Sequence, residues 1–148
     1  MSIRRALPAD RDALLDIWLQ SVRATHMFLT EEDIQSLLPL VRGYLTTEES
    51  ELWVLLSDCG EIMGFMGMSG SKMEALFLAP KFQRRGGGRR LVDYARSLRG
   101  ELTVDVNEQN PAACRFYEGC GFVVEGRSEL DSEGRPFPLL HMRLAAPG

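Results

Sequence analysis

A basic, glycine-rich segment at residues 81–90 has the composition of an anion-binding loop. Arg84 and Arg85 precede three consecutive glycines, and Arg89 and Arg90 follow them. The segment lies between a strand-like run and a helix-like pattern, and the first turn of a helix presents unpaired N–H groups and partial positive charge. Glycines leave room for a pyrophosphate, and arginines add charge beside it. The sequence therefore predicts that this loop binds phosphate groups.

Two familiar nucleotide-binding patterns are absent from the loop. A Walker loop ends in Gly-Lys-Ser or Gly-Lys-Thr, and no such tripeptide is present. The GxGxxG dinucleotide fingerprint is also unmet, because Gly88 is followed by Arg89, Arg90 and Leu91. For the loop alone, a flexible turn at the glycines and a solvated helix face for the arginines remain alternatives.

A second segment, residues 110–122, is predicted to begin with a helix. Asn110 is a favoured N-cap residue and Pro111 a favoured first helical residue. Phe116 has the character of a core residue, whereas a packing role and a chemical role are both open for Tyr117. The glycines that follow predict the end of this helix.

The two segments together resemble the GNAT superfamily of acetyltransferases. Gln83-x-x-Gly86-x-Gly88 is similar to the Gln/Arg-x-x-Gly-x-Gly/Ala motif of that family, and residues 110–122 are similar to its second segment. Both motifs occur in the family's order and on the expected elements, and the resemblance extends over roughly residues 3–144. Residues 21–29 and 134–140 further resemble the YjaB-type bacterial members.

That resemblance implies an enzyme that moves the acetyl group of acetyl-CoA directly to an amine in a ternary complex. The acceptor would be a small molecule or an amino group of a peptide or protein. The resemblance implies that Tyr117 is the acid that protonates the departing thiolate, or that its hydroxyl hydrogen-bonds to that thiolate. The residues implied to bind the cofactor are Leu76, Phe77, Leu78, Gln83, Arg84, Arg85, Gly86, Gly87, Gly88, Arg89, Asn107, Asn110 and Tyr117.

Within that set the implied roles differ. The backbone of Leu76, Phe77 and Leu78 would stabilise the oxyanion of the tetrahedral intermediate. Asn110 would combine a helix cap with a contact to the CoA arm, and Asn107 is either a pantetheine or substrate contact or a turn residue. A non-catalytic acyl-CoA sensor, and a phosphate-binding protein unrelated to CoA, are the alternative functions, and Tyr117 favours the enzyme.

The general base has two candidates. Glu74 lies two residues before Leu76 on a predicted strand, so both side chains are expected on one sheet face, and Glu74 is similar in position to the family's carboxylate base. An ordinary exposed glutamate is an equal alternative. His26 has an imidazole that titrates near neutrality, although packing is the commoner role for such a histidine. The predicted lining of the acceptor pocket is Trp18, His26, Phe28 and Phe137.

Composition limits the function classes. A length of 148 residues favours one domain, residues 1–148. The net charge of −4 argues against nucleic-acid binding. Three widely spaced cysteines and two histidines predict neither a disulfide framework nor a metal site.

No apolar segment is long enough for a leader or a bilayer span, so we expect a cytoplasmic protein without membrane contact. Exposed strands in such folds often pair, so a monomer and a homodimer are both open.

Helix-like and strand-like patterns alternate along the chain. Thr30, with Asp33 three residues later, predicts the start of a second helix, which Pro39 is expected to bend or divide. Residues 52–56, 62–68 and 72–78 are predicted as strands, and residues 102–106, 122–130 and 137–144 as later ones. The helix between the third and fourth of these carries Leu91, Ala95 and Leu98 on one face.

The fold class expected from this pattern and from the resemblance is α/β. It is a single-domain GNAT-like fold with a mixed, mostly antiparallel sheet of about six to seven strands and about four flanking helices. The family resemblance implies that two central strands splay apart.

Overall fold

The computed structural model describes residues 1–25, 29–131 and 133–147. Within them the chain forms seven strands and four helices. The strands are β1 (Ser2–Arg5), β2 (Glu51–Leu56), β3 (Ile62–Ser69), β4 (Lys72–Leu78), β5 (Leu102–Asn107), β6 (Val123–Ser128) and β7 (Leu139–Leu144). The helices are α1 (Arg11–Thr25), α2 (Glu31–Thr46), α3 (Gly87–Arg99) and α4 (Pro111–Gly119).

The strands form one sheet in the order β1-β2-β3-β4-β5-β7-β6. Every neighbouring pair is antiparallel except β4 and β5, which are parallel and connected through α3. This parallel ladder joins only Lys72 to Thr103 and Met73 to Val104. Beyond that point β4 continues to Leu78 in register with β3 alone. The two central strands therefore diverge, which confirms the predicted splayed pair.

Helices cover both faces of the sheet. Tyr44 of α2 lies directly over Gly67 of β3, while Gly87 of α3 packs against Leu55 of β2. Gly67 is paired with Leu52, and Leu52 and Leu55 point to opposite faces because strand side chains alternate. Helices α2 and α3 therefore lie on opposite faces. Phe116 of α4 contacts Gly88, which places α4 on the α3 side.

Three local predictions differ from the structure. Helix α2 runs through Pro39 without interruption, so the helix is not divided there. The last two strands are shorter than predicted because the chain between them turns around Asp131, whose Oδ1 accepts hydrogen bonds from the backbone N–H groups of Glu133 and Arg135. Leu98 is 40% exposed, since the buried stripe of α3 consists of Leu91, Val92 and Ala95.

Candidate active site

A cleft of about 270 Å³ opens where β4 and β5 diverge. One wall is the free side of β4, the other is the end of β5, and the N-terminal parts of α3 and α4 close it from one face of the sheet. Because β4 and β5 separate, the ends of these two strands and the starts of α3 and α4 meet at the cleft. The lining residues are Ser21, Met73, Glu74, Ala75, Leu76, Phe77, Leu78, Gln83, Gly88, Asp105, Val106, Asn107, Asn110, Ala112, Ala113, Phe116 and Tyr117.

The start of α3 has no side-chain cap. Gly86 is the N-cap residue with φ +80°, a left-handed conformation that glycine adopts readily, and no side chain hydrogen-bonds to the first turn. The first helical hydrogen bond runs from the N–H of Arg90 to the carbonyl of Gly86. The N–H groups of the preceding turn are therefore available for an anion, which is the arrangement that a pyrophosphate requires.

The three glycines of the loop serve different purposes. A Cβ on Gly86 would meet nothing within 4 Å, so this position requires glycine for its backbone angle. A Cβ on Gly87 would lie 2.8 Å from the Leu55 side chain, and one on Gly88 would lie 2.9 Å from the ring of Phe116. Gly87 and Gly88 thus allow α3 to pack closely on the core, a role that the sequence argument, which considered only the phosphate side, did not identify.

The predicted arginines surround this helix start. Arg85 lies over the ring of Phe82, 5.6 Å from its centroid. Arg89 donates to the carbonyl of Gly119 at the end of α4, while Arg90 donates to the carbonyl of Met1. Arg84 adopts a positive φ of 62° and makes no hydrogen bond or ion pair within the described part of the chain. The loop therefore retains cationic charge that no acidic partner neutralises at Arg84.

Tyr117 lies on α4 with its ring between those of Phe116 and Phe122, at centroid distances of 5.2 and 5.3 Å. The residue is half-buried and lines the cleft. Its hydroxyl makes no hydrogen bond to the described residues. Burial, together with the nearby Cys120 thiol, raises the pKa of Tyr117. The phenol is therefore held protonated, in the form that can donate to a departing thiolate.

Asn110 and Asn107 occupy the turn between β5 and α4. The Asn110 side chain accepts a hydrogen bond from the N–H of Ala113 at 3.2 Å, which confirms the predicted helix cap. The Asn107 side chain accepts a hydrogen bond from the N–H of Gln109 at 2.8 Å, so Asn107 also stabilises this turn. Both residues also line the cleft.

The end of β4 carries the predicted oxyanion donors. Leu76, Phe77 and Leu78 all line the cleft, beyond the point where the ladder to β5 stops. The Gln83 side chain donates to the carbonyl of Leu78 at 3.3 Å and thereby connects the loop to the strand. One long hydrogen bond thus connects the glycine-rich loop to the end of β4.

Glu74 lines the cleft, but not for the reason that the sequence suggested. The pairing of β3 with β4 shifts register between Gly67 and Met68, and Glu74 has no strand partner. Simple alternation with Leu76 does not hold across such a bulge. Glu74 is exposed and makes no hydrogen bond or ion pair with the described residues. His26 and Phe28 lie outside the described residues, whereas Trp18 is buried in the core rather than in the cleft.

One group of polar residues was missed. Asp105 of β5 lines the cleft and accepts from Lys72 Nζ at 2.7 Å and from His141 Nδ1 at 2.6 Å. His141 Nε2 lies 2.6 Å from Ser128 Oγ. Burial acts to raise the pKa of Asp105, but the hydrogen bonds from Lys72 and His141 outweigh it, so the pKa is lowered. The alternation of residues 102–107 could have indicated Asp105, because Asp105 and Asn107 share one strand face.

Two features are absent from the described residues. No helix among them is long and apolar enough to cross a bilayer. No group of three or more His, Cys, Asp and Glu side chains in these ranges is placed to hold a metal ion.

Comparison with known proteins identifies the family. Residues 48–124 match the family model of the Acetyltransferase (GNAT) domain. The chain is 46% identical over 142 residues to the peptidyl-lysine N-acetyltransferase YjaB of Escherichia coli (strain K12), covering 96% of this chain and 95% of that protein. It is 34% identical over 124 residues to the peptidyl-lysine N-acetyltransferase YiaC of the same strain, covering 82% and 83%. The solution structure of apo-form YjaB from Escherichia coli has a TM-score of 0.90 at 44% identity over 99% of this chain and 98% of that one.

The chain therefore belongs to the GNAT family of acetyltransferases. It is an acetyl-CoA-dependent N-acetyltransferase, and it transfers the acetyl group to an amine. The predicted family, fold class and co-substrate are confirmed.

Proposed function

We propose that the acceptor amine is the ε-amino group of a lysine in a protein or peptide. The relatives YjaB and YiaC bear the name peptidyl-lysine N-acetyltransferase. The observation that supports this proposal for the present chain is the acidic lining of the cleft. Glu74 and Asp105 are the carboxyl residues of that lining. Asp105 is paired with Lys72, whereas Glu74 is exposed and makes no ion pair with the described residues, so its negative charge favours a cationic side chain over a neutral or acidic one.

In the proposed mechanism the loop holds the donor. The uncapped N-terminus of α3 and the side chains of Gln83, Arg84, Arg85 and Arg89 bind the pyrophosphate of acetyl-CoA, and Asn107 and Asn110 contact its pantetheine arm. The thioester then lies between β4 and α4. Backbone N–H groups of residues 76–78 stabilise the oxyanion that forms as the amine attacks.

Tyr117 is the proposed acid. Its phenol donates a proton to the CoA thiolate as the carbon–sulfur bond breaks. The raised pKa of Tyr117 keeps the phenol protonated at neutral pH. Glu74 is the proposed base and accepts a proton from the incoming ammonium, directly or through water. His26 remains a second base candidate from the sequence.

A thiol-release assay with acetyl-CoA tests this function. The acceptors are a lysine-containing peptide, its arginine counterpart, free amino acids and small amines. We expect CoA release with the lysine peptide and none with the arginine peptide, and mass spectrometry should place the acetyl group on the lysine. Release with small amines but not with peptides would contradict the lysine assignment. Tight acetyl-CoA binding without release over the whole panel would instead indicate a sensor.

We further infer that residues 1–148 act as one catalytic domain in the cytoplasm. The outer strands β1 and β6 leave two sheet edges open to pairing, so a homodimer is the expected form if the protein associates. Sedimentation at several concentrations distinguishes it from a monomer.

A further inference from the structure

Lysine is rare in this chain. Of 17 basic residues, only Lys72 and Lys81 are lysines, and the others are arginines. An arginine provides the same charge but cannot accept an acetyl group under these conditions, because its guanidinium stays protonated. The two lysines are therefore the two internal side chains that could compete with an external lysine acceptor.

The two lysines have different surroundings. Lys81 follows β4 in a short turn and pairs with Glu61, and neither Lys81 nor Lys72 is itself among the residues that line the cleft. Lys72 is the first residue of β4, at the closed end of the splayed pair. Its ammonium lies 2.7 Å from Oδ2 of Asp105, a residue of the cleft wall.

The direction of the Lys72 side chain follows from the register. Lys72 is paired with Thr103, whereas Asp105 lies two residues further along β5. Two residues of a parallel strand span about 6.6 Å. The side chain must therefore extend along the strand from the closed end toward the open part of the cleft, and its ammonium ends beside the carboxylate of a residue that lines the cleft.

Asp105 is held in place for this contact. His141 Nδ1 donates to its other oxygen, and Ser128 Oγ lies 2.6 Å from His141 Nε2. Arg143 pairs with Glu101 and Arg127 with Glu108, whereas Glu74 of the cleft makes no ion pair with the described residues. Asp105 therefore presents a fixed carboxylate to one ammonium, and in this structure that ammonium belongs to Lys72.

We propose that Asp105 marks the ammonium position of the acceptor site and that Lys72 is an internal acceptor, which the enzyme acetylates by itself. The proposal rests on the amine-acetylating function above. The Lys72 ammonium loses a proton to a carboxylate of the cleft, and its nitrogen attacks the thioester carbonyl of acetyl-CoA. The new N–C bond forms, the C–S bond breaks, and the CoA thiolate takes a proton from Tyr117. The second proton that the nitrogen loses as the amide forms restores the Tyr117 phenol, directly or through water. The products are Nε-acetyl-Lys72, free CoA and one proton, and the neutral amide releases Asp105 from its ion pair.

The test incubates the purified protein with acetyl-CoA and no other acceptor, followed by peptide mapping over time. The Lys72 side chain is 44% exposed and that of Lys81 is 65% exposed. Uncatalysed acetylation would therefore favour Lys81. We expect acetyl-Lys72 to form first, with a rate constant that does not change when the protein is diluted tenfold.

Variants make the assignment specific. Lys72→Arg keeps the ion pair and should abolish the signal at that position, while Lys81→Arg, its matched control, should leave acetylation of Lys72 unchanged. Tyr117→Phe should slow acetylation of Lys72 by roughly 10² or more, as expected for loss of a general acid. Asp105→Asn should slow it as well, with the fold checked by circular dichroism.

The outcomes separate this proposal from the function on which it rests. Turnover of the external lysine peptide without acetyl-Lys72 would overturn the internal acceptor and leave the proposed function intact. Acetylation that slows in proportion to dilution would show transfer between molecules and would also overturn it. Acetylation that is equally fast in Tyr117→Phe would mean uncatalysed chemistry. If neither Lys72 nor the peptide is acetylated, the lysine-acetylating function itself is wrong.

Discussion

The two helices that begin at the cleft start in opposite ways. Helix α4 follows β5 and is capped by the Asn110 side chain, with proline in its first turn. Helix α3 follows β4 and is capped by a glycine in a left-handed conformation, with no side-chain hydrogen bond. Helix α2, far from the phosphate loop, has a reciprocal capping box between Thr30 and Asp33. Among these three starts, only that of α3 lacks a side-chain cap, and it is the start proposed to bind the phosphates.

This difference suggests a division of labour between the helices. Side-chain caps satisfy the first N–H groups internally and stabilise the helix, whereas an uncapped start keeps those groups for a ligand. Helix α3 would then determine affinity for acetyl-CoA, and α4, through Tyr117, would determine the rate of the chemical step. Changes at α3 should act on the KM for acetyl-CoA, and changes at α4 should act on kcat.

The largest expected effect is that of Tyr117→Phe. The phenylalanine keeps the ring contacts with Phe116 and Phe122 but removes the proton donor. Loss of a general acid typically costs 10²- to 10⁴-fold in rate, so kcat should fall by roughly 10² or more while the dissociation constant of CoA changes little. Steady-state kinetics and calorimetric titration with CoA measure the two quantities separately. An unchanged kcat would remove Tyr117 from the mechanism and with it the chemical role of α4.

Gly88→Ala should have the next largest effect, and it couples the two helices. The new Cβ would lie 2.9 and 3.1 Å from ring atoms of Phe116, so the Phe116 ring would have to shift or α3 and α4 would have to separate. Overpacking of this kind costs about 1–3 kcal/mol in free energy of unfolding. Phe116 adjoins Tyr117, so kcat should fall as well. Gly43→Ala in α2 is the control, since a Cβ there meets nothing within 4 Å. Equal stability for both variants would contradict the packing role of Gly88.

Much of this site could be predicted from sequence because its parts are local. The loop and the Asn110 cap each lie within a short segment whose residue types predict them, whereas the chemical role of Tyr117 is what the family resemblance implies. The helix and strand patterns likewise placed most elements to within a few residues.

The parts that were missed depend on long-range geometry. Glu74 was a candidate base from the sequence, but its place on a β-bulge follows only from the register with β3. The group of Lys72, Asp105, His141 and Ser128 comes from four different strands, so no spacing along the chain brings them together. The inward packing of Gly87 and Gly88 also requires knowledge of the residues beneath α3.

A smaller effect is expected from Gly86→Ala, which tests the uncapped start directly. Alanine at φ +80° costs about 1–2 kcal/mol because its Cβ approaches the following carbonyl oxygen. Gly60→Ala is a matched control, since Gly60 has φ +82° and its Cβ would also meet nothing within 4 Å. Thermal or urea unfolding should show similar losses for both variants. Only Gly86→Ala should raise the KM for acetyl-CoA, and an unchanged KM would argue against a role of this turn in phosphate binding.

The smallest effect on stability should come from the caps, and here the comparison between helices becomes quantitative. Asn110→Ala and Thr30→Ala each remove a side-chain cap and should each cost about 1 kcal/mol of unfolding free energy. Thr30 begins α2 outside the cleft lining, so its variant should keep full activity at temperatures well below unfolding. Asn110 lines the cleft and orients the helix that carries Tyr117, so its variant should lose activity beyond what stability explains. If both variants lose stability equally and neither loses activity, the cap on α4 is purely structural, and only Tyr117 connects that helix to the reaction.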